Sequence, residues 1–319
     1  MSDSNRRIGV VMDPIAAIKP KKDSSLAMLL EAGRRGAEIH YMLQGDLKLV
    51  AGEALARSTL ISVRDADDHW FDFGDESDIR LGDLDVILMR KDPPFDMEYV
   101  YTTYILGRAA LAGALIVNNP QALRDMNEKV FTAWFPQCAP LTIITRSMQE
   151  MKHFLARHER IVVKPLDGMG GKSVFVVAAG DKNANVIFET LTDNGRRFAM
   201  AQVYIAEITD GDKRILLIDG EPIPYSLARI PSADDNRGNL VMGATGEGRE
   251  LSEREAWICT EVGPVLRDSG VIFCGIDVIG DYLTEINVTS PTGIRELDRI
   301  YGLNIAGTLF DAIEARLRQ

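Results

Sequence analysis

Glu285 and Asn287 stand two residues apart in the apolar run Leu283-Thr-Glu-Ile-Asn-Val288. Positions i and i+2 of a strand share one face, so a carboxylate and a carboxamide oxygen would lie side by side. That pair suits a hard cation such as Mg²⁺, which takes oxygen ligands. A half-exposed strand with polar residues on alternate positions would look the same. Asp277, in Cys274-Gly-Ile-Asp-Val-Ile279, precedes the pair by one hairpin. A loop of Gly280-Asp281-Tyr282 sets Asp277 opposite Glu285, whereas a loop of Gly280-Asp281 alone sends it to the other face.

Other residues offer chemistry for phosphates. Gly168-Met-Gly-Gly-Lys-Ser173 presents backbone N–H groups with no side chain in the way. The spacing is not that of a Walker A loop, because Asp167 stands where the first glycine belongs. An ordinary glycine-rich hairpin is the competing reading. Lys164, near the end of Ile161-Val-Val-Lys-Pro165, would reach an α- or β-phosphate as a point charge, and a strand-end lysine snorkelling to solvent is the competing reading. Lys129, in Asn127-Glu-Lys129, would add a second cation, though alone it reads as a surface residue. Arg214, Arg229 and Arg237 carry planar guanidinium groups that grip carboxylate or phosphate through paired hydrogen bonds. Three of them beside a polar, glycine-containing loop suit transfer of a phosphoryl group onto a carboxylate. Singly, each reads equally well as a surface ion pair.

The elements that must position these residues alternate in kind. Ile8–Met12, Ile39–Met42, Leu84–Arg90 and Ala114–Val117 read as strands. Helices capped at Asp23 and running through 98–112 separate them, which predicts a parallel sheet covered on both faces. Asp13 and Arg90-Lys91-Asp92 fall at carboxyl ends of such strands, where open α/β sheets bind ligands, so they are candidates for holding a polar substrate, though a solvated loop explains them equally well. No Gly-x-Gly-x-x-Gly follows the first strand, so a standard dinucleotide site is not expected. After Asn118-Asn119-Pro120 the pattern becomes α+β. It predicts a helix over 121–135, strands at 142–145, 161–165, 173–177 and 198–205, and a helix over 147–158. A hairpin about Asp219-Gly220, a helix near 253–269, the strand pair 272–279 and 282–288 and a last helix over 305–317 follow.

These motifs resemble the ATP-grasp superfamily, and within it the prokaryotic glutathione synthetases. The resemblance runs along nearly the whole chain. Its segments include Val11-Met-Asp-Pro-Ile15, Leu88-Met-Arg-Lys-Asp-Pro-Pro-Phe-Asp96, Lys164-Pro-Leu-Asp-Gly-Met-Gly-Gly171 and Glu285-Ile-Asn-Val-Thr-Ser-Pro291. It implies a three-domain ATP-grasp fold of α/β and α+β units: an N-terminal parallel α/β (pre-ATP-grasp) domain over 1–122, a central subdomain over 123–205 and a C-terminal subdomain over 206–319. A flexible lid is implied at about 230–249. It implies ATP held by Lys129, Lys164, Gly168, Gly170, Gly171 and Asp212, with adenine against Gln202, Val203, Tyr204 and Ile205. Asp277, Glu285 and Asn287 match magnesium ligands, with Mn²⁺ as an alternative ion. Arg214, Arg229 and Arg237 match positions near the transferred phosphoryl group and the substrate carboxylates. The implied activity joins γ-glutamylcysteine to glycine through an acyl phosphate, in a homo-oligomer of four subunits. Another ATP-grasp carboxylate–amine ligase would share the ATP site and differ in its substrate domain. A non-catalytic ATP-binding regulator could lose metal ligands or arginines, and here every one is present.

Composition is ordinary for a soluble globular protein. The chain has 319 residues, 46% hydrophobic and 26% charged, enough for two or three domains. A net charge of −11 argues against general binding to nucleic acid or anionic membranes. The apolar run Ile8–Met12 is too short for a signal peptide or a membrane span. Cys138, Cys259 and Cys274 have no metal or redox spacing and read as small core residues in a reducing cytoplasm. The four histidines do not cluster, so neither a zinc site nor a histidine-based triad is expected.

Overall fold

The computed structural model of the protein describes residues 6–230 and 245–318. Apolar runs form the first sheet. Strands β1 (Arg7–Val11), β2 (Glu38–Met42), β6 (Val86–Met89) and β7 (Leu115–Val117) are parallel in the order β2-β1-β6-β7. Helices α1 (Ser24–Arg34) and α2 (Met97–Leu111) connect them, as the alternation of signals requires. The expected parallel sheet is extended by an antiparallel part: β4 (Glu53–Val63) pairs with β2 and carries β3 (Leu47–Val50) and β5 (Phe71–Arg80). The strand signal of β5 is weak because nearly all of it is exposed, so no alternation of buried residues marks it.

Asp23 caps α1, accepting from the Leu26 N–H at 2.6 Å. Two turns later Glu31, 5% exposed, accepts from Arg34 and Arg35. Arg35 also donates to the Gly307 carbonyl and to Asp311 on α8 (Ile305–Leu317), so the cluster ties the first helix to the last. The Arg34 bond lowers the Glu31 carboxyl to about 2 against the pull of burial, with Arg35 and Asn304 adding to the drop. A depressed folded-state pKa stabilises the fold above the unfolded value near 4.5, and that stabilisation is lost as pH falls toward 2. Urea unfolding of wild type and Glu31→Gln should therefore differ at pH 6 and converge on acidification; a gap that widens in acid would contradict the pairing.

The expected helix over 121–135 is broken. Helix α3 (Pro120–Asp125) ends, and a 3₁₀ turn follows at Val130–Trp134. Asn127 makes the break: its Oδ1 accepts from the Lys129 and Val130 N–H groups, and its Nδ2 donates to the Leu166 carbonyl.

The second sheet has the order β10-β9-β11-β8, with β8 at Thr142–Thr145, β9 at Arg160–Pro165, β10 at Phe175–Ala178 and β11 at Ala199–Val203. Helices α4 (Met148–His158) and α5 (Ala184–Thr192) cover one face, burying Ile161, Val163, Val177, Ala199 and Ala201. The alternate positions Val162, Lys164, Val176 and Gln202 therefore face away from these helices. The third sheet, β14-β13-β12-β15-β16, is antiparallel. Its strands are β12 (Asp212–Ile218), β13 (Glu221–Ile230), β14 (Thr245–Glu250), β15 (Phe273–Ile279) and β16 (Tyr282–Asn287). Asp219 and Gly220, both at positive φ, close the β12–β13 hairpin as expected. Helix α6 (Glu253–Asp268) packs Ile258, Val262 and Leu266 against Ile215, Leu217, Ile276 and Val278. That packing turns Arg214 and Asp277 to the opposite face.

Asn118 links the first sheet to the third. Its Nδ2 donates to the Phe273 and Val288 carbonyls, and its Oδ1 accepts from the Ile272 and Phe273 N–H groups. One buried carboxamide thus fixes the start of β15 and the end of β16. Helix α7 (Ile294–Tyr301) and α8 return to α1, where Leu297, Leu309 and Phe310 share a core with Met28 and Leu29. Among the described residues no helix is long and apolar enough to cross a membrane.

Candidate active site

Strand register assembles a row of charges. Arg214 on β12 pairs with Asp277 on β15, and Asp277 pairs with Glu285 on β16. Asp212 pairs with Arg229 on β13 one step along the same face. The β15–β16 hairpin closes on a two-residue loop, Ile279 opposite Tyr282. Regular pairing from that loop would have sent Asp277 away from Glu285. A bulge between Asp277 and Val278, with Thr284 as the extra residue of β16, restores the alignment. The Thr284 hydroxyl donates to the Asp277 carbonyl at 3.1 Å within it. The odd-loop condition is thus corrected: the loop is even, and the bulge brings Asp277 and Glu285 together.

Arg214 Nε and Nη2 donate to Asp277 Oδ1 and Oδ2, both at 2.7 Å. Arg229 Nη2 approaches Asp277 Oδ2 at 2.9 Å and donates to Asp212 Oδ2 at 2.5 Å. All but Asp212 are nearly inaccessible. Burial raises the Asp277 pKa, but the two guanidinium groups outweigh it and hold the carboxyl well below its usual range. Asp212 goes the other way: burial pushes it to about 7, and neither Arg229 nor Arg214 compensates in the presence of Asp277 and Glu285.

Across from this row lie the two lysines. Lys129, 2% exposed, donates to the Gly168 carbonyl at 2.7 Å and to Glu128, and its Nζ is 3.6 Å from Glu285. Burial opposes its charge, yet Glu285 and Glu128 hold its pKa above the usual value. Lys164, 6% exposed, has its Nζ 3.8 Å from Glu285. Burial lowers its pKa, with Lys129 adding to the fall. Gly170 and Gly171 adopt φ of 66° and 74°, conformations that favour glycine. At Gly168 a Cβ would lie 2.7 Å from the Pro165 ring.

Lysines, glycines and the charged row line one cavity of about 720 Å³. The described nucleotide, metal and arginine candidates from the sequence all line it: Lys129, Lys164, Gly168, Gly170, Gly171, Gln202, Val203, Tyr204, Ile205, Asp212, Arg214, Arg229, Asp277, Glu285 and Asn287. Arg237, and most of the expected lid at about 230–249, lie outside the described residues. At one end the wall is apolar, with Val162, Val176, Ile208 and Ile279.

The strand-end candidates divide. Asp92 lines the cavity and accepts from the Ser290 hydroxyl at 2.6 Å. Arg90 is buried, donating to Ser25 and to the Pro291 carbonyl, so it holds the segment after β16. Asp13 pairs with Lys91. Glu128, Asn127 and Asn118 were not legible as site residues. Glu128 is carried into the cavity by the break after α3, which helical periodicity does not reveal. Burial, with Glu285 nearby, raises its pKa. Cys138, Cys259 and Cys274 are all buried, and burial pushes the first two thiols up to about 11 and about 12, in keeping with a core role.

The donor set suits a hard cation. Asp212 Oδ1 is buried without a hydrogen-bond partner among the described residues. Asn287 uses its Nδ2 toward Asp277, which leaves its Oδ1 as an acceptor. Among the described residues, Asp277 Oδ1 accepts from Arg214 Nε alone, which leaves it one lone pair. Among the described residues no three His, Cys, Asp or Glu side chains converge as a preformed metal cage. Mg²⁺ needs none, because it takes one or two carboxylates and completes its shell with substrate phosphates and water.

The fold and the site define an ATP-grasp ligase. The chain superposes on the ATP-grasp ligase PsnB, solved with minimal precursor, Mg and ADP, with a TM-score of 0.62 over 98% of each chain at 15% identity, a likeness of fold. Residues 7–124 match the N-terminal domain of prokaryotic glutathione synthetase, and residues 128–302 match its ATP-grasp domain. The chain belongs to the prokaryotic glutathione synthetase family. It is 57% identical over 313 residues to glutathione synthetase of Escherichia coli K12, covering 98% of this chain and 99% of that one. It is 58% identical over 311 residues to glutathione synthetase of Salmonella typhimurium LT2, with the same coverage.

Proposed function

We propose that the protein joins γ-glutamylcysteine to glycine at the expense of ATP, giving glutathione, ADP and phosphate. The observation that carries this reading is the single face that gathers Arg214, Asp277 and Glu285 opposite two buried lysines and a glycine loop. Such a site neutralises a triphosphate from several sides, which is the main task in phosphoryl transfer.

In this reading Lys129, Lys164 and the N–H groups of Gly168, Gly170 and Gly171 hold the phosphates. Adenine lies between Val162, Val176, Ile208 and Ile279. The Val203 and Tyr204 N–H groups are already bonded to the Leu141 and Arg160 carbonyls, so reading of the base edge by an N–H donor falls to Ile205. Asp277, Glu285 and Asn287, with Asp212 beside them, would hold Mg²⁺ or Mn²⁺. When bound, the ion draws charge from the phosphate oxygens and orients them. Arg214 and Arg229, with Arg237, orient the acceptor carboxylate and the γ-phosphoryl group.

The cysteinyl carboxylate of γ-glutamylcysteine attacks the γ-phosphorus and the bond to the β-phosphate oxygen breaks, releasing ADP and leaving an acyl phosphate. The glycine amine then attacks the acyl carbon. The C–O bond to phosphate breaks, and the amine loses a proton. The segment at about 230–249 serves as a lid that keeps water from the acyl phosphate. Units 1–122, 123–205 and 206–319, a cytoplasmic location and a four-subunit assembly complete the reading.

The test is phosphate release from Mg-ATP with γ-glutamylcysteine and glycine. Turnover should require both, and D-alanine should not replace glycine. Release independent of glycine, or supported equally by D-alanine, would overturn this assignment.

A further inference from the structure

The turn that carries Lys129 is bonded on two sides. On one side the Glu128 carbonyl accepts from the Ile286 N–H at 2.8 Å, between Glu285 and Asn287 on β16. On the other, Asn127 Nδ2 donates to the Leu166 carbonyl at 3.0 Å, and Lys129 Nζ donates to the Gly168 carbonyl at 2.7 Å. Residues 127–129 therefore stand as a spacer between the strand of the candidate metal ligands and the glycine loop. The turn itself depends on Asn127, whose Oδ1 accepts from the Lys129 N–H at 3.1 Å and the Val130 N–H at 3.0 Å. With Oδ1 so occupied, the carboxamide turns its NH₂ group to the loop. An ionised aspartate would close the same turn but has no donor, and serine would close it but lacks the reach. Glutamine carries both groups on a chain one methylene longer. Asparagine closes the turn and grips the loop at once.

We propose that Asn127 is a positioning residue for ATP. It fixes the base of the glycine loop relative to Glu285 and Asn287, so that loop N–H groups and metal ligands meet one triphosphate. Phosphoryl transfer depends on such alignment. Lys129 and Glu128 line the main cavity, whereas Asn127 lines the small hollow behind it with Leu166, so it acts through its neighbours. The two grips on the loop also differ in kind. The Lys129 ammonium is the group that turns to a phosphate when nucleotide arrives, which loosens its hold on Gly168. Asn127 faces no phosphate, and its bond to Leu166 persists through the exchange. The inference rests on the ATP-handling reading above and adds a residue to it.

The test is titration calorimetry of the full chain with Mg-ATP, which needs no turnover. Asn127→Ser keeps an oxygen for the Lys129 and Val130 N–H groups, adds no charge and loses the bond to Leu166. Its Kd for Mg-ATP should rise about tenfold, the worth of about one hydrogen bond. Asn127→Ala loses all three bonds, so it should show the same rise together with a lower unfolding midpoint. In steady-state assays of Asn127→Ser, KM for ATP should rise while KM for γ-glutamylcysteine and for glycine stay within about twofold of wild type. Amide hydrogen exchange without nucleotide should quicken in peptides covering 166–173 and stay unchanged across β11. Wild-type affinity for Mg-ATP in Asn127→Ser, or a KM that rises equally for all three substrates, would overturn the positioning role and leave the ATP reading standing. A wild type that binds no Mg-ATP would overturn the ATP reading and this role with it.

Discussion

Asp277→Asn is expected to lower the unfolding free energy by about 3–5 kcal/mol and kcat by about 10²–10³-fold. Among the described residues, Asp277 is the one that both buried arginines contact directly. Asparagine keeps the shape but not the charge, and it turns an NH₂ group toward a guanidinium. Two buried cations then lose their shared carboxylate, and among the described residues Asp212 and Glu285 are left to balance Arg229. The double variant Asp277→Asn/Arg214→Met separates the two effects. It removes one of the stranded cations, so stability should return in part while activity stays low. Urea unfolding and turnover on the same preparations check this. Stability unchanged by the single substitution would show that the arginines find other partners.

Lys164→Met should have the opposite profile. Apparent affinity for ATP should fall by about 10²-fold or more, while the unfolding free energy should hold or rise slightly. Lys164 is almost inaccessible, and its ion pair with Glu285 is a long one, 3.8 Å. Burial depresses its pKa, so the protein without nucleotide holds this charge at a cost. Removing it relieves that cost, whereas the phosphate it would neutralise loses a partner. Titration calorimetry with ATP, set beside urea unfolding, measures both quantities. A large loss of stability with unchanged ATP affinity would make Lys164 a structural residue.

Much of this site was legible in the sequence because its parts follow short-range rules. Alternation on β9 places Val162 and Lys164 on one face, and the same rule places Glu285 and Asn287 together on β16. Glycines at 168, 170 and 171 announce a backbone loop whatever surrounds them. The illegible parts depend on distant partners. The Thr284 bulge is fixed by pairing with β15, and nothing in Leu-Thr-Glu-Ile-Asn distinguishes a bulged strand from a regular one. The break at Asn127 depends on the Leu166 carbonyl, 39 residues further along the chain. Strand β5 was obscured because an edge strand exposed on both faces has no buried period. Asn118 reads as an ordinary turn residue, and only the arrival of β15 and β16 gives its carboxamide four partners.

Oxygen tracing tests the central claim most directly. γ-Glutamylcysteine labelled with ¹⁸O in its cysteinyl carboxylate is supplied with Mg-ATP and glycine, and the released phosphate is analysed by mass spectrometry. Attack of that carboxylate on the γ-phosphorus carries one ¹⁸O into each phosphate released. Phosphate free of label, with glutathione formed, would contradict the acyl-phosphate route and with it the role assigned to the row of Arg214, Asp277 and Glu285.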